Sequence, residues 1–213
     1  LIRYPQSKSD QTEYKVPEGV KTIGKNAFNG NKTITKIELP KSVQSIGDYA
    51  FIYCGSMEEI KLSEGLEEIG REAFEYCSGI KKAEIPDSVK EIGTEAFYSC
   101  GSLEEVVLGK GLEKVGGETF RYCEKLTKLT IEGNIESIDS SVFYDTAIKE
   151  LQVGKGVSSL KETLYGQGAL EKIEVEEGNE SYISEDGVLY NKEKTTLIRY
   201  PQSKSDQTEY KVP

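Results

Sequence analysis

Not one of the chain's 213 residues is histidine. That removes the usual general base, the Ser-His and Cys-His nucleophile pairs and the commonest metal ligand together. Tryptophan is also absent, and with it the broadest aromatic platform for stacking a sugar ring. No run of 18 apolar residues occurs, so no segment has the character of a membrane-spanning helix. Basic residues are outnumbered, 27 Lys and Arg against 37 Asp and Glu, for a net charge of −10. A nucleic-acid backbone or an anionic membrane surface needs the opposite balance. No signal peptide is visible, but the chain opens in the middle of a pattern, which leaves export open.

What the chain does have is a period. Ile23, Ile46, Ile69, Ile92 and Val115 each precede Gly, and Phe28, Phe51, Phe74, Phe97 and Phe120 follow five residues later; both series step by 23. A fixed period of this length marks a solenoid, whose coils bury their apolar faces only against neighbouring coils. With 36% hydrophobic and 30% charged residues, the composition suits such a thin stack better than one thick core. A second, longer repeat frames the first: Leu1–Pro17, LIRYPQSKSDQTEYKVP, recurs letter for letter at Leu197–Pro213, 196 residues on. The expectation is one block of a longer array, with coils over 14–175 and an interruption over 176–213 that repeats the start of the block.

Each coil begins with spaced apolar residues and a breaker, as in Ile34-Thr-Lys-Ile37-Glu-Leu39-Pro40 and Ile80-Lys-Lys-Ala83-Glu-Ile85-Pro86. Alternation of this kind predicts a short strand with one buried face, ended by Pro. A second apolar pair follows, Val43/Ile46 or Val89/Ile92, and then a short helical or 3₁₀ turn carrying Ala-Phe. Stacked coils form narrow parallel sheets with a Phe column inside. Met57 falls in the column of Ile34, Ile80, Leu103 and Leu126, a core position. Cys54, Cys77, Cys100 and Cys123 form another column. Spread over about 15 Å at strand spacing, they cannot share one zinc, and parallel Cβ vectors oppose a disulfide. Free buried thiols that donate weakly to loop backbone are expected, since Asn31, Thr146 and Gln167 continue that column.

At this point the residues carry a resemblance. LPKSVQSIGDYAFIYCGS (Leu39–Ser56) and its echo IPDSVKEIGTEAFYSCGS (Ile85–Ser102) resemble the BspA-like, or treponemal-type, leucine-rich repeat of bacterial surface proteins, coil by coil over Tyr14 to Leu170. Gly187–Pro201 is similar to the hairpin-like segment that often interrupts such arrays. The resemblance implies a right-handed leucine-rich-repeat solenoid of ~23-residue coils on a secreted or cell-surface protein, engaged in adhesion. It supplies no catalytic or ligand motif. After Val175 the pattern gives way to a 36-residue detour, predicted as a hairpin in which Val188–Tyr190 pairs with Leu197–Tyr200 across Asn191–Lys194.

Read down the stack, the first strand gives Lys36, Glu59, Lys82, Glu105, Lys128, Glu150 and Lys172, a strict alternation of sign. Such a checkerboard neutralises itself, each exposed cross-strand pair contributing about 0.2–1 kcal/mol. Val107, Thr130 and Gln152 interrupt the neighbouring column and make the first candidate contact surface. The second lies in the tyrosines. Tyr53, Tyr76 and Tyr122 share one column and Tyr98, Tyr144 and Tyr165 the next, serving either coil packing or partner contact. The Lys192–Lys204 region is a further candidate. No enzyme, metal or cofactor is expected. The function reading is a protein-binding adhesion module, with a structural spacer, or a scaffold for an enzyme elsewhere, as the alternatives. Exposed strand edges at both ends would favour end-to-end self-association.

Overall fold

A computed structural model describes residues 1–4, 11–160 and 167–204. Their backbone forms a parallel β-solenoid of about seven turns of ~23 residues. One side of the coil carries a column of longer strands: β1 (Glu13–Lys15), β3 (Lys36–Glu38), β5 (Glu59–Lys61), β7 (Lys82–Ile85), β9 (Glu105–Leu108), β11 (Lys128–Ile131), β13 (Glu150–Val153) and β14 (Lys172–Val175). A second side carries two-residue strands: β2 (Thr22–Ile23), β4 (Ser45–Ile46), β6 (Glu68–Ile69), β8 (Glu91–Ile92), β10 (Lys114–Val115) and β12 (Ser137–Ile138). The period-2 pattern does what the sequence predicts. In β7 the side chains of Lys82 and Glu84 are exposed while Ala83 and Ile85 are buried.

The third side is made of turns, and here the structure corrects the expected helical or 3₁₀ segment. Asn26, Tyr49, Glu72, Glu95 and Glu118 have φ of 52–60°, and Tyr53, Tyr76, Ser99, Tyr122 and Asp145 have φ of 56–62°. Two left-handed residues per coil cannot belong to a right-handed helix. They alternate the direction of the amide groups instead. Ala50 N and Ile52 N bond within the coil, to Gly47 O and Tyr49 O, whereas Tyr49 N, Phe51 N and Tyr53 N bond across to Arg71 O, Ala73 O and Glu75 O of the next coil. The turn is thereby hydrogen-bonded to its neighbour almost as a strand would be.

Inside, the six Phe rings from Phe28 to Phe143 form one ladder with centroids 4.8–5.5 Å apart and planes within 17° of parallel. That spacing is the strand separation itself, so coil rise sets ring stacking. Beside the ladder each thiol donates to a Phe carbonyl 26 residues back, from Cys54 Sγ to Phe28 O at 3.1 Å through Cys123 Sγ to Phe97 O at 3.2 Å. Burial pushes the Cys77 and Cys100 thiols well above their ordinary pKa. Met57 lies in the core as its column predicts.

After β14 the chain forms an antiparallel meander, β15 (Tyr182–Glu185), β16 (Val188–Asn191) and β17 (Leu197–Arg199). The predicted hairpin is its second half: Leu189 pairs with Arg199 and Tyr190 with Leu197, with an irregularity between Leu189 and Tyr190. The strand that the sequence reading missed is β15, whose residues are all partly exposed or exposed and carry weak alternation. The meander covers the edge of β14, with Ile173 N bonded to Gly187 O and Val175 N to Ser184 Oγ, both at 2.9 Å. This end of the long column is therefore not the bare edge that the sequence reading expected.

Candidate functional site

On the long-strand side the charges pair as neighbours in register. Lys36 Nζ lies 2.9 Å from Glu59, Lys82 3.0 Å from Glu105 and Lys128 3.7 Å from Glu150, and Lys15 binds Glu38 in the next column. The checkerboard has one break. β5 and β7 are not paired, so the column divides into a three-stranded and a five-stranded sheet although β6 and β8 remain bonded on the second side. A cleft of about 540 Å³ opens there, floored by Ile60, Leu62 and Ile85. Ile60 and Leu62 are half-buried, whereas Ile37 and Leu39 above them are buried. Below Ile60 stands Ala83, the small member of a column otherwise filled by Tyr14 and by Ile, Val and Leu. Glu59 and Lys82, expected to face each other, are separated by this seam.

The structure brings Val107, Thr130 and Gln152 side by side on β9, β11 and β13. Thr130 Oγ1 and Gln152 Oε1 are 3.4 Å apart, and both residues line a shallow groove of about 520 Å³ that ends at Ser184 of the meander. The patch is uncharged, but Glu132, Glu174 and Glu176 rim it.

Tyr98 and Tyr144 lie elsewhere, on the turn side, and Tyr165 lies outside the described residues. Around Tyr98 the turns gather an aromatic stripe. Tyr53 and Tyr76 stack at 5.1 Å with planes 6° apart, Tyr98 meets Tyr76 edge-on at 5.9 Å, and Tyr122 meets Tyr98 edge-on at 5.3 Å. Arg121 closes the stripe: its guanidinium sits 4.7 Å from the Tyr122 ring, donates to Tyr122 Oη at 3.0 Å and pairs with Glu118 and Asp145. Exposure is substantial, 53% for Tyr53 and 39% for Tyr76. Burial raises the pKa of the Tyr76 and Tyr98 hydroxyls, so both stay neutral donors in ordinary conditions.

Tyr53, Tyr76 and Tyr122 occupy the left-handed column, where Gly30, Ser99 and Asp145 also stand. Gly and Asp tolerate that backbone, but a tyrosine there costs roughly 1 kcal/mol or more. Three tyrosines accept this cost and remain exposed or half-exposed, so burial does not repay it. Sequence reasoning grouped them as a column that serves either coil packing or partner contact, but their left-handed backbone is invisible in a pattern without glycine.

Residues 6–126, 45–171 and 90–209 match the model of the BspA type leucine rich repeat region, in six copies. Among solved structures, a leucine rich cell surface protein from Faecalibacterium prausnitzii is similar at 30% identity and a TM-score of 0.60, over 90% of this chain and 55% of that one. The chain thus spans about half of that relative's length. The leucine rich repeat protein of T. pallidum is similar at 28% identity and 0.59, over 81% of this chain and 72% of that one. The pneumococcal vaccine antigen PcpA shares the fold at 24% identity and 0.54, over 99% of this chain and 51% of that one. No curated protein matches the chain.

Proposed function

The chain belongs to the BspA type leucine-rich repeat family, and from that premise we propose that it is a non-enzymatic protein-binding module of a bacterial cell surface, engaging its partner through the tyrosine stripe. The observation that carries this reading is Tyr53, Tyr76 and Tyr122 held exposed or half-exposed on left-handed backbone. Tyr and Arg are the side chains that dominate interface energetics, supplying large rigid area at low entropic cost. Tyr98, Arg121 and Tyr144 extend the same surface. The Val107, Thr130 and Gln152 patch is the second contact candidate. A spacer role is favoured by one observation, the self-paired charges of the long-strand side, which leave that side little unsatisfied charge to offer a ligand.

The test is binding of the chain to a panel of extracellular matrix and plasma proteins, at physiological and at high salt. Tyr76→Asn should weaken saturable binding by ~10-fold or more, the scale of a hot-spot truncation. Folding stability should stay within about 1 kcal/mol, because relief of the left-handed cost offsets the lost ring contact. A Val107→Glu/Thr130→Lys variant should bind as the wild type does. Binding lost in that variant and kept by Tyr76→Asn would move the site to the strand side; no binding at all would favour the spacer.

A further inference from the structure

Between β5 and β7 the long-strand side stands open by the width of a strand. The Cα atoms of the two strands are for the most part more than 8 Å apart, where bonded neighbours lie about 4.8 Å apart and two such spacings make ~9.6 Å. The coils themselves stay in contact around the opening. β6 pairs with β8, Ser88 Oγ donates to Leu66 O at 2.7 Å, and a Cβ on Gly79 would lie 2.7 Å from Met57 O. The opening is therefore a slot, closed at both ends and confined to one side of the coil.

Both walls of this slot are sheet edges. In a parallel sheet successive residues turn their amide and carbonyl groups to opposite neighbours. Glu59 and Lys61 turn theirs to β3, with Glu59 N on Thr35 O and Leu39 N on Lys61 O, so those of Ile60 face the slot. On the other wall Lys81 O accepts from Glu105 N of β9, so the groups of Lys82 and Glu84 face the slot. Among the described residues no hydrogen bond joins β5 to β7. Unpaired donors and acceptors in a row are a template for a further strand. The side chains state which strand would fit. Its inward residues would stand between Ile60 and Ala83 and between Leu62 and Ile85, an apolar setting in which Ile60 and Leu62 are now only half-buried. Its outward residues would stand between Glu59 and Lys82 and between Lys61 and Glu84, one charge of each sign at either place, which favours an uncharged polar residue such as Thr.

We propose that the slot binds a short extended peptide segment of a partner protein by strand addition, its backbone bonded to β5 on one side and β7 on the other, with β-branched apolar residues inward and uncharged polar residues outward. The three-stranded and five-stranded sheets then become one continuous sheet. No ion pair is broken, because Glu59 is held by Lys36 on its own side of the seam and Lys82 by Glu84 and Glu105 on the other. A slot closed at both ends admits only a segment about as long as β5 and β7, with flanks that turn outward, so the donor is a flexible tail or loop and not a strand already built into a sheet. This site lies on the long-strand side, apart from the tyrosine stripe of the turn side.

The test uses the synthetic peptide acetyl-Lys-Thr-Val-Thr-Ile-Thr-Lys-amide, with amide hydrogen exchange of the full chain and anisotropy of a labelled copy of the peptide. In the free chain the amides of Ile60, Lys82 and Glu84 should exchange faster than that of Ile37, which lies in the bonded pair of β3 and β5. Saturating peptide should slow all three and leave Ile37 as it was. Lys82→Pro removes a donor without an acceptor among the described residues and places a ring in the slot, at the first residue of β7, where Pro is tolerated. That variant should keep the wild-type circular dichroism and bind the peptide ~10-fold or more weakly, whereas Tyr76→Asn should bind it as the wild type does. If Lys82→Pro does not fold, the exchange measurement on the wild type decides. Slot-facing amides as slow as Ile37 in the free chain would overturn the proposal, since the seam would then be closed. Amides that the peptide leaves unslowed would overturn it too, as would equal binding of a peptide with Ser in place of Val and Ile.

Discussion

Among the described residues, Glu75 is the only acidic side chain in the core, standing where the next coils place Tyr98 and Arg121. Burial, with the hydrogen bond that its protonated carboxyl donates to the neighbouring Glu72 and the charges of Glu72 and Glu95, pushes its pKa up to about 8 from an ordinary 4.5, and Arg71 opposes this only in part. The unfolded chain releases this proton near 4.5 and the folded chain holds it until about 8. Between those values the native state binds more protons, so the residue's contribution to stability falls as pH rises. Glu75→Gln, whose amide replaces the proton that Glu75 shares with Glu72, should remove that fall. Thermal midpoints measured across this range should diverge, the variant gaining on the wild type with each step toward pH 8. Parallel curves would show that Glu75 does not hold its proton. No sequence signal marks this carboxyl, because its burial follows from the turn geometry and not from a polar-apolar pattern. The thiols are the opposite case: their column, shared with Asn31, Thr146 and Gln167, revealed their role as donors to backbone before any coordinates.

At the scale of the element, the strands were legible and the turns were not. Alternation in Lys82-Ala83-Glu84-Ile85 states which side chains go in, and parallel pairing then follows from the period. The turn sequence Gly-x-x-Ala-Phe is equally compatible with a short helix. Only the bonding to the next coil, from Phe51 N to Ala73 O and Tyr53 N to Glu75 O, selects the left-handed alternative. The glycine before each turn is there for close approach. A Cβ on Gly93 would lie 2.5 Å from Arg71 N and 2.7 Å from the carbonyl carbon of Gly70, whereas one on Gly101 would meet nothing within 4 Å. Gly93→Ala should therefore cost about 1–3 kcal/mol, the range for forced overpacking, while Gly101→Ala should be near neutral in the same denaturant titration. Equal costs would mean that coil separation is not limited by backbone contact at this glycine. The seam between β5 and β7 was not foreseen, although Ala83 stands in an otherwise large-residue column at that place. A single small residue gives no warning by itself, since the second strand column and the turns continue unbroken across the same coils.

Across the whole molecule, three sides of one coil do three different things. The long-strand side spends its charges on its neighbours, at about 0.2–1 kcal/mol for each exposed pair. The short-strand side and the Phe ladder hold the stack together, and the turn side carries aromatic rings into solvent. This division was half legible: the checkerboard and the tyrosine columns are both visible in the sequence, but which of them is free for a partner depends on exposure and on φ. The central claim is that the tyrosine stripe is the contact surface. Hydroxyl-radical footprinting of the chain, alone and bound to the partner captured from the panel, tests it most directly. Modification of Tyr53, Tyr76 and Tyr144 should fall on binding while that of Val107 and of the strand-side lysines is unchanged. Tyrosines that react as fast in the complex as in the free chain, with protection confined to β9, β11 and β13, would contradict the account.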